Sequence, residues 1–291
     1  MLKEIQKTIF YNKHFILNHR YMKTISNSAL LILTAEIERC ITIKGIGVRG
    51  NKKYFPKDEY IKTLLKKIGY WEYFNISFNI GKTVDHSQLL YLKIVSSTLL
   101  DSELIGTLIS FFEKYVEFDG DTRDYFSDAM LEAAANAVEF AYDYEGLLPK
   151  TKGIQKWWLT ATINKSLHEV SFVFYDQGIG ILRTVKSKRN DLKFKSYMSN
   201  LIGAGCTDEE ILKILVTTDL SSHKDKRRGN GLVSFKKFID SVDNGELIIY
   251  TDNISYAAIA NKKSKYNDFI DGTLIEWKIR LDRNSKGIRL K

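Results

Sequence analysis

Three short stretches, far apart along the chain, constrain its fold more than any other feature. The first is Glu-Ala-Ala-Ala-Asn at residues 132–136, the second is Asp-Gln-Gly-Ile-Gly at residues 176–180, and the third is Gly-Asn-Gly-Leu at residues 229–232. The surrounding patterns place the first on a long helix, the second at the end of a strand and the third between a loop and a helix. Along the chain, the fold must therefore contain a helix, then a strand, then a second helix, with one motif on the first helix, one at the end of the strand and one at the start of the second helix.

Residues 116–291 predict a domain of the α+β class. Helices are expected at 124–142, 208–216 and 231–242, and strands at 157–164, 169–175, 246–251, 255–260 and 273–280. This order of helix, hairpin, helices and further strands favours a layered sandwich with helices on one face of a mixed sheet.

Residues 1–115 predict a smaller α/β accessory domain. Helices are expected at 29–39, 57–68 and 103–116, and a strand at 40–48. An accessory domain of this kind is expected to pack on the larger one and to bind a partner protein.

Glu132 and Asn136 are four residues apart, so both side chains lie on one face of the long helix. The amide oxygen of an Asn is a suitable ligand for Mg²⁺, which usually keeps several waters and also uses phosphate oxygens. The alternative interpretation is an alanine-rich core helix with one polar face.

Asp176 ends the second strand pattern, and Gly178 and Gly180 follow it. A carboxylate at a strand end can accept a hydrogen bond from the exocyclic amino group of adenine. The two glycines allow backbone conformations that other residues avoid, and they allow a ligand to come close. The alternative is a simple turn that leaves the strand with an Asp at its start.

The third stretch precedes a helix with an apolar face. Exposed N–H groups at the start of a helix favour phosphate oxygens, and basic residues just upstream add positive charge. The residues expected at this phosphate site are Lys226, Arg228, Gly229, Asn230, Gly231 and Leu232.

Together, and in this order, the three stretches resemble the nucleotide pocket of the GHKL ATPase superfamily, which contains gyrase, large heat-shock chaperones, histidine kinases and MutL. The resemblance covers about residues 116–281 and implies a Bergerat-type sandwich that binds ATP with Mg²⁺. It implies that Asn136 carries the magnesium ion and that Glu132 acts as general base toward the attacking water. One departure is Phe140, where the family often has a histidine four residues after the Asn.

The resemblance also assigns roles to the later motifs. Asp176 would read the adenine base, and Thr273 would lie near it. Residues 187–226, which precede the third stretch, would form a mobile lid over the phosphates. The first half of the chain weakly resembles a STAS-like segment, but no serine stands at the position that such domains phosphorylate.

The composition bounds the partners. The formal net charge is +9, which fits either a nucleic-acid partner or a lysine-rich solvated surface with no such partner.

The longest purely apolar run, residues 29–33, is far shorter than the roughly 20 residues that cross a bilayer, and the start lacks the apolar core of a signal peptide. Cys40 and Cys206 are too far apart in sequence to indicate a disulfide framework. A cytoplasmic protein with no membrane attachment is expected.

Three classes of function follow. The first is an ATPase that acts as a nucleotide-controlled switch for a partner protein. The second is a protein kinase of the anti-sigma or histidine-kinase type, and the third is a nucleic-acid-binding module with a regulatory ATP site. The sequence does not identify the partner, and it leaves a dimer as one possible oligomeric state.

Overall fold

The structure is a computed structural model that describes residues 5, 16–45, 47, 49–77, 84–142, 154–187, 205–218, 231–258, 262–282 and 285–291. Within these ranges only the backbone is described for residues 231, 262, 263 and 266–268.

Eight helices are numbered along the described residues. They are α1 Asn27–Lys44, α2 Glu59–Lys67, α3 Tyr70–Tyr73, α4 Ser102–Glu113, α5 Thr122–Glu139, α6 Ile181–Ser187, α7 Asp208–Thr217 and α8 Gly231–Asp240. The strands are β1 Leu89–Ser97, β2 Val116–Phe118, β3 Trp157–Asn164, β4 Glu169–Asp176, β5 Gly245–Ala257, β6 Lys262–Arg280 and β7 Ile288–Leu290. The predicted α+β class is confirmed.

Five strands form the main sheet in the order β1-β3-β4-β6-β5. All four neighbouring pairs are antiparallel, so the expected mixed sheet is wrong for the described strands. Hairpins connect β3 to β4 and β5 to β6, which accounts for two of these four pairs. In the β4–β6 ladder, Asp176 lies opposite Thr273.

The first helical layer packs on the sheet through large aromatic side chains. Phe172 of β4 lies at the centre of this core, with its ring centroid 5.1 Å from that of Phe126 on α5 and 4.9 Å from that of Trp277 on β6. Phe126 also contacts Phe238 of α8, at 5.1 Å. This layer therefore joins the helix that carries Glu132 and Asn136 to the helix that follows the third motif.

The second helical layer covers the opposite face of the sheet, so the prediction of helices on one face only is wrong. Helices α1, α2 and α3 bury their apolar side chains against Trp158, Val173, Tyr175 and Leu274 of the sheet. Residues 170–176 of β4 are all buried, as expected for a strand covered on both faces.

Residues 40–44 were predicted as a strand, but they are the last turn of α1. The helix begins at the Ser26 cap, whose side chain accepts a hydrogen bond from the Ala29 N–H at 3.1 Å, and it ends at Gly45 in the left-handed conformation. Burial of Ile37 and Cys40 outweighs the strand preference of the β-branched residues 41–43. The weak STAS-like resemblance loses the strand on which it depended.

Strand β1 was not predicted. It pairs with β3, and its Leu92 belongs to the same apolar core as Phe112 of α4 and Phe172. The sheet and its core thus extend across the boundary drawn between residues 1–115 and 116–291, and residues 89–113 pack as part of the larger unit.

Candidate functional site

Glu132 and Asn136 lie on one face of α5, half-buried, and their side chains are hydrogen-bonded to each other. The alanines at 133, 134 and 137 are buried in the aromatic core and fix this helix against the sheet. Burial raises the pKa of Glu132, the negative charges of Glu139 and Asp128 raise it further, and the bond to Asn136 opposes the rise. A carboxyl group whose pKa moves toward neutrality is suited to general-base chemistry.

Asn136 lies in the last turn of α5. Its backbone carbonyl accepts hydrogen bonds from the N–H groups of both Phe140 and Ala141, each at 3.1 Å. The carboxyl end of a helix carries partial negative charge and favours a cation nearby. Mg²⁺ often takes only one or two protein ligands together with phosphate oxygens, and the amide oxygen of Asn136 fits that requirement.

The carboxyl end of α5 holds the second motif. The Ile179 N–H donates to the Ala141 carbonyl at 2.8 Å, and the Gln177 N–H donates to the Tyr142 hydroxyl oxygen at 3.0 Å. The structure therefore places the second motif against residues 141 and 142, which directly follow the helix that carries the first motif.

The Asp176 carboxylate is buried and hydrogen-bonded on several sides. One oxygen accepts from the Gly178 N–H at 2.8 Å, and Thr273 donates both its backbone N–H and its hydroxyl. Burial raises the pKa of Asp176 to about 7, although the bonds from Gly178 and Thr273 favour the ionised form. The predicted pair of Asp176 and Thr273 thus meets in space, at the end of the β4–β6 ladder.

Both glycines of the second motif are required by the packing of the chain itself. A Cβ on Gly178 would lie 2.2 Å from the Ala141 carbonyl oxygen, and Gly180 has a φ of +85° with Thr251 close by. The expectation that these glycines leave room for a ligand is therefore not needed to explain them. Their contacts fix the loop in one conformation next to Asp176.

Thr251 was missed by sequence reasoning. Its hydroxyl accepts from the Ile181 N–H at 3.2 Å and donates to the Gly272 carbonyl at 3.3 Å, so it connects the start of α6 to the irregular part of β6 before Thr273. Tyr142 was also missed, although it lies only six residues after the first motif. A threonine inside an alternating strand gives no sequence signal for such a role.

The third motif is placed in part. Helix α8 begins at Gly231, as predicted, and Leu232 packs partly buried against the aromatic core. Lys226, Arg228, Gly229 and Asn230 lie outside the described residues, as does most of the expected lid at 187–226.

A cavity of about 190 Å³ lies beside the carboxyl end of α5, adjacent to the motifs rather than at them. Its lining includes Glu139, Tyr142 and Lys156. Tyr142 is also the residue whose hydroxyl oxygen accepts the Gln177 N–H.

The chain matches no protein-family model, and no curated protein was found to be similar to it. No helix in the described part of the chain has both the length and the apolar character that crossing a bilayer requires. Among the described residues, no cluster of three or more His, Cys, Asp and Glu side chains is arranged to hold a metal ion.

Proposed function

We propose that this chain binds ATP with Mg²⁺ in a Bergerat-type pocket and hydrolyses it as a switch that controls a partner protein. The observation that carries the proposal is the meeting of Asp176, Thr273 and the carboxyl end of α5 around one loop. These residues come from three separate parts of the sequence, and Asp176 and Thr273 match positions that the GHKL resemblance implies.

The adenine base would bind at Asp176. An ionised carboxylate accepts the hydrogen bond from the adenine amino group, whereas guanine presents a carbonyl oxygen at the same place. Because the bonds from Gly178 and Thr273 fix the direction of the carboxylate, the site would discriminate between the two bases. An Asp with a purely structural role would make the same internal bonds, so base selectivity separates the two interpretations.

The phosphates would extend from Asp176 toward α5 and the start of α8. Asn136 would hold the metal ion, which neutralises the charge that develops on the γ-phosphate. Glu132 would take a proton from a water that attacks the γ-phosphorus, while the bond from phosphorus to the bridging oxygen breaks and ADP leaves. The hydrogen bond between Glu132 and Asn136 would keep base and metal ligand in register.

The proposal is tested by measuring nucleotide binding and phosphate release on the same preparation. ATP at a hundredfold excess over its dissociation constant should stabilise the protein by about 2.7 kcal/mol, and GTP should stabilise it far less. Glu132→Ala should keep ATP binding and lower turnover by roughly 10²–10⁴ fold. Asn136→Ala should weaken binding only when Mg²⁺ is present.

The matched control is Asp124→Ala, which removes an exposed carboxylate from the same helix, two turns before Glu132. It should leave turnover and affinity unchanged. Equal stabilisation by ATP and GTP, or by neither, contradicts the proposal. If phosphate is transferred to a partner protein instead of released, the kinase alternative replaces hydrolysis. Salt-sensitive binding of nucleic acid that does not depend on ATP would favour the third alternative.

A further inference from the structure

Helix α1 carries a buried ion pair in a largely apolar layer. Arg39 has no exposed side-chain surface, and its Nη2 donates to both carboxylate oxygens of Glu36, at 2.6 and 2.5 Å. Its Nη1 donates to the Asp271 carboxylate at 3.1 Å. Removing such charges from water costs several kcal/mol per ion, so a buried pair is weak evidence for a purely stabilising role.

This ion pair contacts the chain next to Asp176. The Gln177 side chain is fully buried, and its amide nitrogen donates to Glu36 at 3.2 Å. Asp271 lies two residues before Thr273 on β6, and its backbone carbonyl accepts from the Tyr175 hydroxyl at 2.8 Å. Glu36 and Arg39 therefore contact both chain segments just beyond the Asp176–Thr273 pair, Gln177 on one and Asp271 on the other.

A second route joins α1 to the same loop. Glu38 accepts hydrogen bonds from Lys156 Nζ at 2.6 Å and from Trp158 Nε1 at 2.8 Å. The backbone carbonyl of Lys156 accepts from the Tyr142 hydroxyl, and the oxygen of that hydroxyl accepts from the Gln177 N–H. The peptide of Gln177 is thus held from α1 independently of its side chain.

The network is not fully satisfied. Among the described residues, the Arg39 Nε and the Gln177 Oε1 are buried without a hydrogen-bond partner. Buried polar atoms without partners reduce stability and require a separate explanation. A network kept for stability alone would be expected to pair them.

We infer that α1 is the element that positions the base-reading loop, with Arg39 and Glu36 as its positioning residues. The inference rests on the proposed function, because it assigns the adenine selectivity of Asp176 to contacts made by α1 of the second helical layer. Arg39 and Glu36 touch no ligand; they act through Gln177 and Asp271. The first part of the chain is therefore part of the nucleotide site and not a separate accessory unit.

The experiment compares the full chain with Arg39→Met, Arg39→Lys, Glu36→Gln and Ser28→Ala. Ser28 is the matched control, because it also lies on α1 and donates a buried hydrogen bond to the sheet, to Glu276 at 2.9 Å, away from the loop. Dissociation constants for ATP and GTP are measured by calorimetry, and amide hydrogen exchange at residues 176–180 is followed without nucleotide.

Arg39→Met and Glu36→Gln should lower the ratio of ATP to GTP affinity by about tenfold, the effect of losing about one charge-assisted hydrogen bond. Arg39→Lys should restore part of that ratio, because it keeps the positive charge. Exchange at the Gln177 and Ile179 amides should become faster in both disruptive variants. Ser28→Ala should leave the ratio and the exchange at 176–180 unchanged, although it lowers overall stability.

The inference is overturned if the ratio and the loop exchange stay at the level of the full chain in both disruptive variants, or if Ser28→Ala changes them equally. Because Gln has nearly the same shape as Glu, the Glu36→Gln variant alone tests the inference if Arg39→Met does not fold. If the full chain binds neither nucleotide, the proposed function fails, and the selectivity part of the inference fails with it. Loop exchange then decides alone whether α1 holds residues 176–180.

Discussion

The two faces of the central sheet are packed in different ways. The face under α4, α5 and α8 is an apolar core of stacked and edge-to-face aromatic rings centred on Phe172. The face under α1, α2 and α3 is also apolar, but it includes the buried charges of Glu36 and Arg39. Apolar contacts are non-directional, whereas ion pairs and hydrogen bonds fix orientation. We therefore expect the first face to determine stability and the second face to determine the geometry of the loop.

The largest effect on stability should come from the aromatic face. Phe172→Ala removes a ring that contacts Phe126, Phe238 and Trp277, and it leaves a cavity at the centre of the core. The free energy of unfolding should fall by about 3–5 kcal/mol. Chemical denaturation measures this change. Phe172→Leu should recover a large part of it.

The different roles of the two faces are contradicted if Phe172→Ala loses selectivity between ATP and GTP at a temperature at which it is still folded. Such a result would show that the aromatic core also sets the geometry of the loop. A selectivity equal to that of the full chain supports the division of roles.

A smaller change in stability is expected from the charged face. Arg39→Met leaves Glu36 buried without its partner and should lower the free energy of unfolding by about 3 kcal/mol. This is the lower end of the usual range, because Asp271 keeps 16% of its side chain exposed to water. Urea denaturation of the single variant and of the double variant Glu36→Met with Arg39→Met measures the effect.

The double variant should recover most of that stability, because no uncompensated charge is left at position 36. Recovery of stability without recovery of ATP selectivity would separate packing from positioning. Recovery of both properties would contradict the role given to the ion pair.

The smallest effect concerns pH. Folding raises the pKa of Asp176 to about 7, whereas its unfolded value is near the ordinary 3.8. Between these values the folded state binds more protons, so stability falls as pH rises, by about 2 kcal/mol from pH 5 to pH 7, and then levels off. Asp176→Asn should remove this part of the pH dependence and should be more stable than the parent at pH 8.

Thermal unfolding of the nucleotide-free protein from pH 5 to pH 8 checks this sign. The same variant should lose most of its preference for ATP. A pH dependence that is identical in parent and variant would show that other groups cause it. In that case, ionisation of the buried Asp176 carboxylate would not lower the free energy of unfolding.

The sequence predicted the elements with strong apolar periodicity and a clear start or end. Strand β3 lies at the predicted residues 157–164, and α5 begins within two residues of its predicted start. Strand β1 was missed, although its Leu, Tyr, Ile and Val residues favour a strand and only Lys93 and the final serines depart from the apolar pattern. The end of α1 was assigned to a strand because β-branched residues favour strands, and tertiary burial reversed that preference.

The predicted site divides in the same way, into residues with a local sequence signal and residues without one. Glu132, Asn136, Asp176 and Thr273 were identified from motifs, and the structure brings Asp176 and Thr273 into hydrogen-bond contact. The contribution of Arg39 was not predictable, because Glu36 and Arg39 have the spacing of an ordinary surface ion pair on a helix. Their partner Asp271 is 232 positions away in sequence, and nothing local indicates the contact.

The pairing of Asp176 with Thr273 has a consequence for how the site is assembled. The two residues are opposite each other only in one register of β4 and β6, and a slip of one position would place Gly272 or Leu274 there. Such a slip would also move every inward side chain of β6 to the other face of the sheet. A chain that folded in the wrong register could therefore not form the proposed site, and recovery of the proposed nucleotide binding after refolding would report strand alignment.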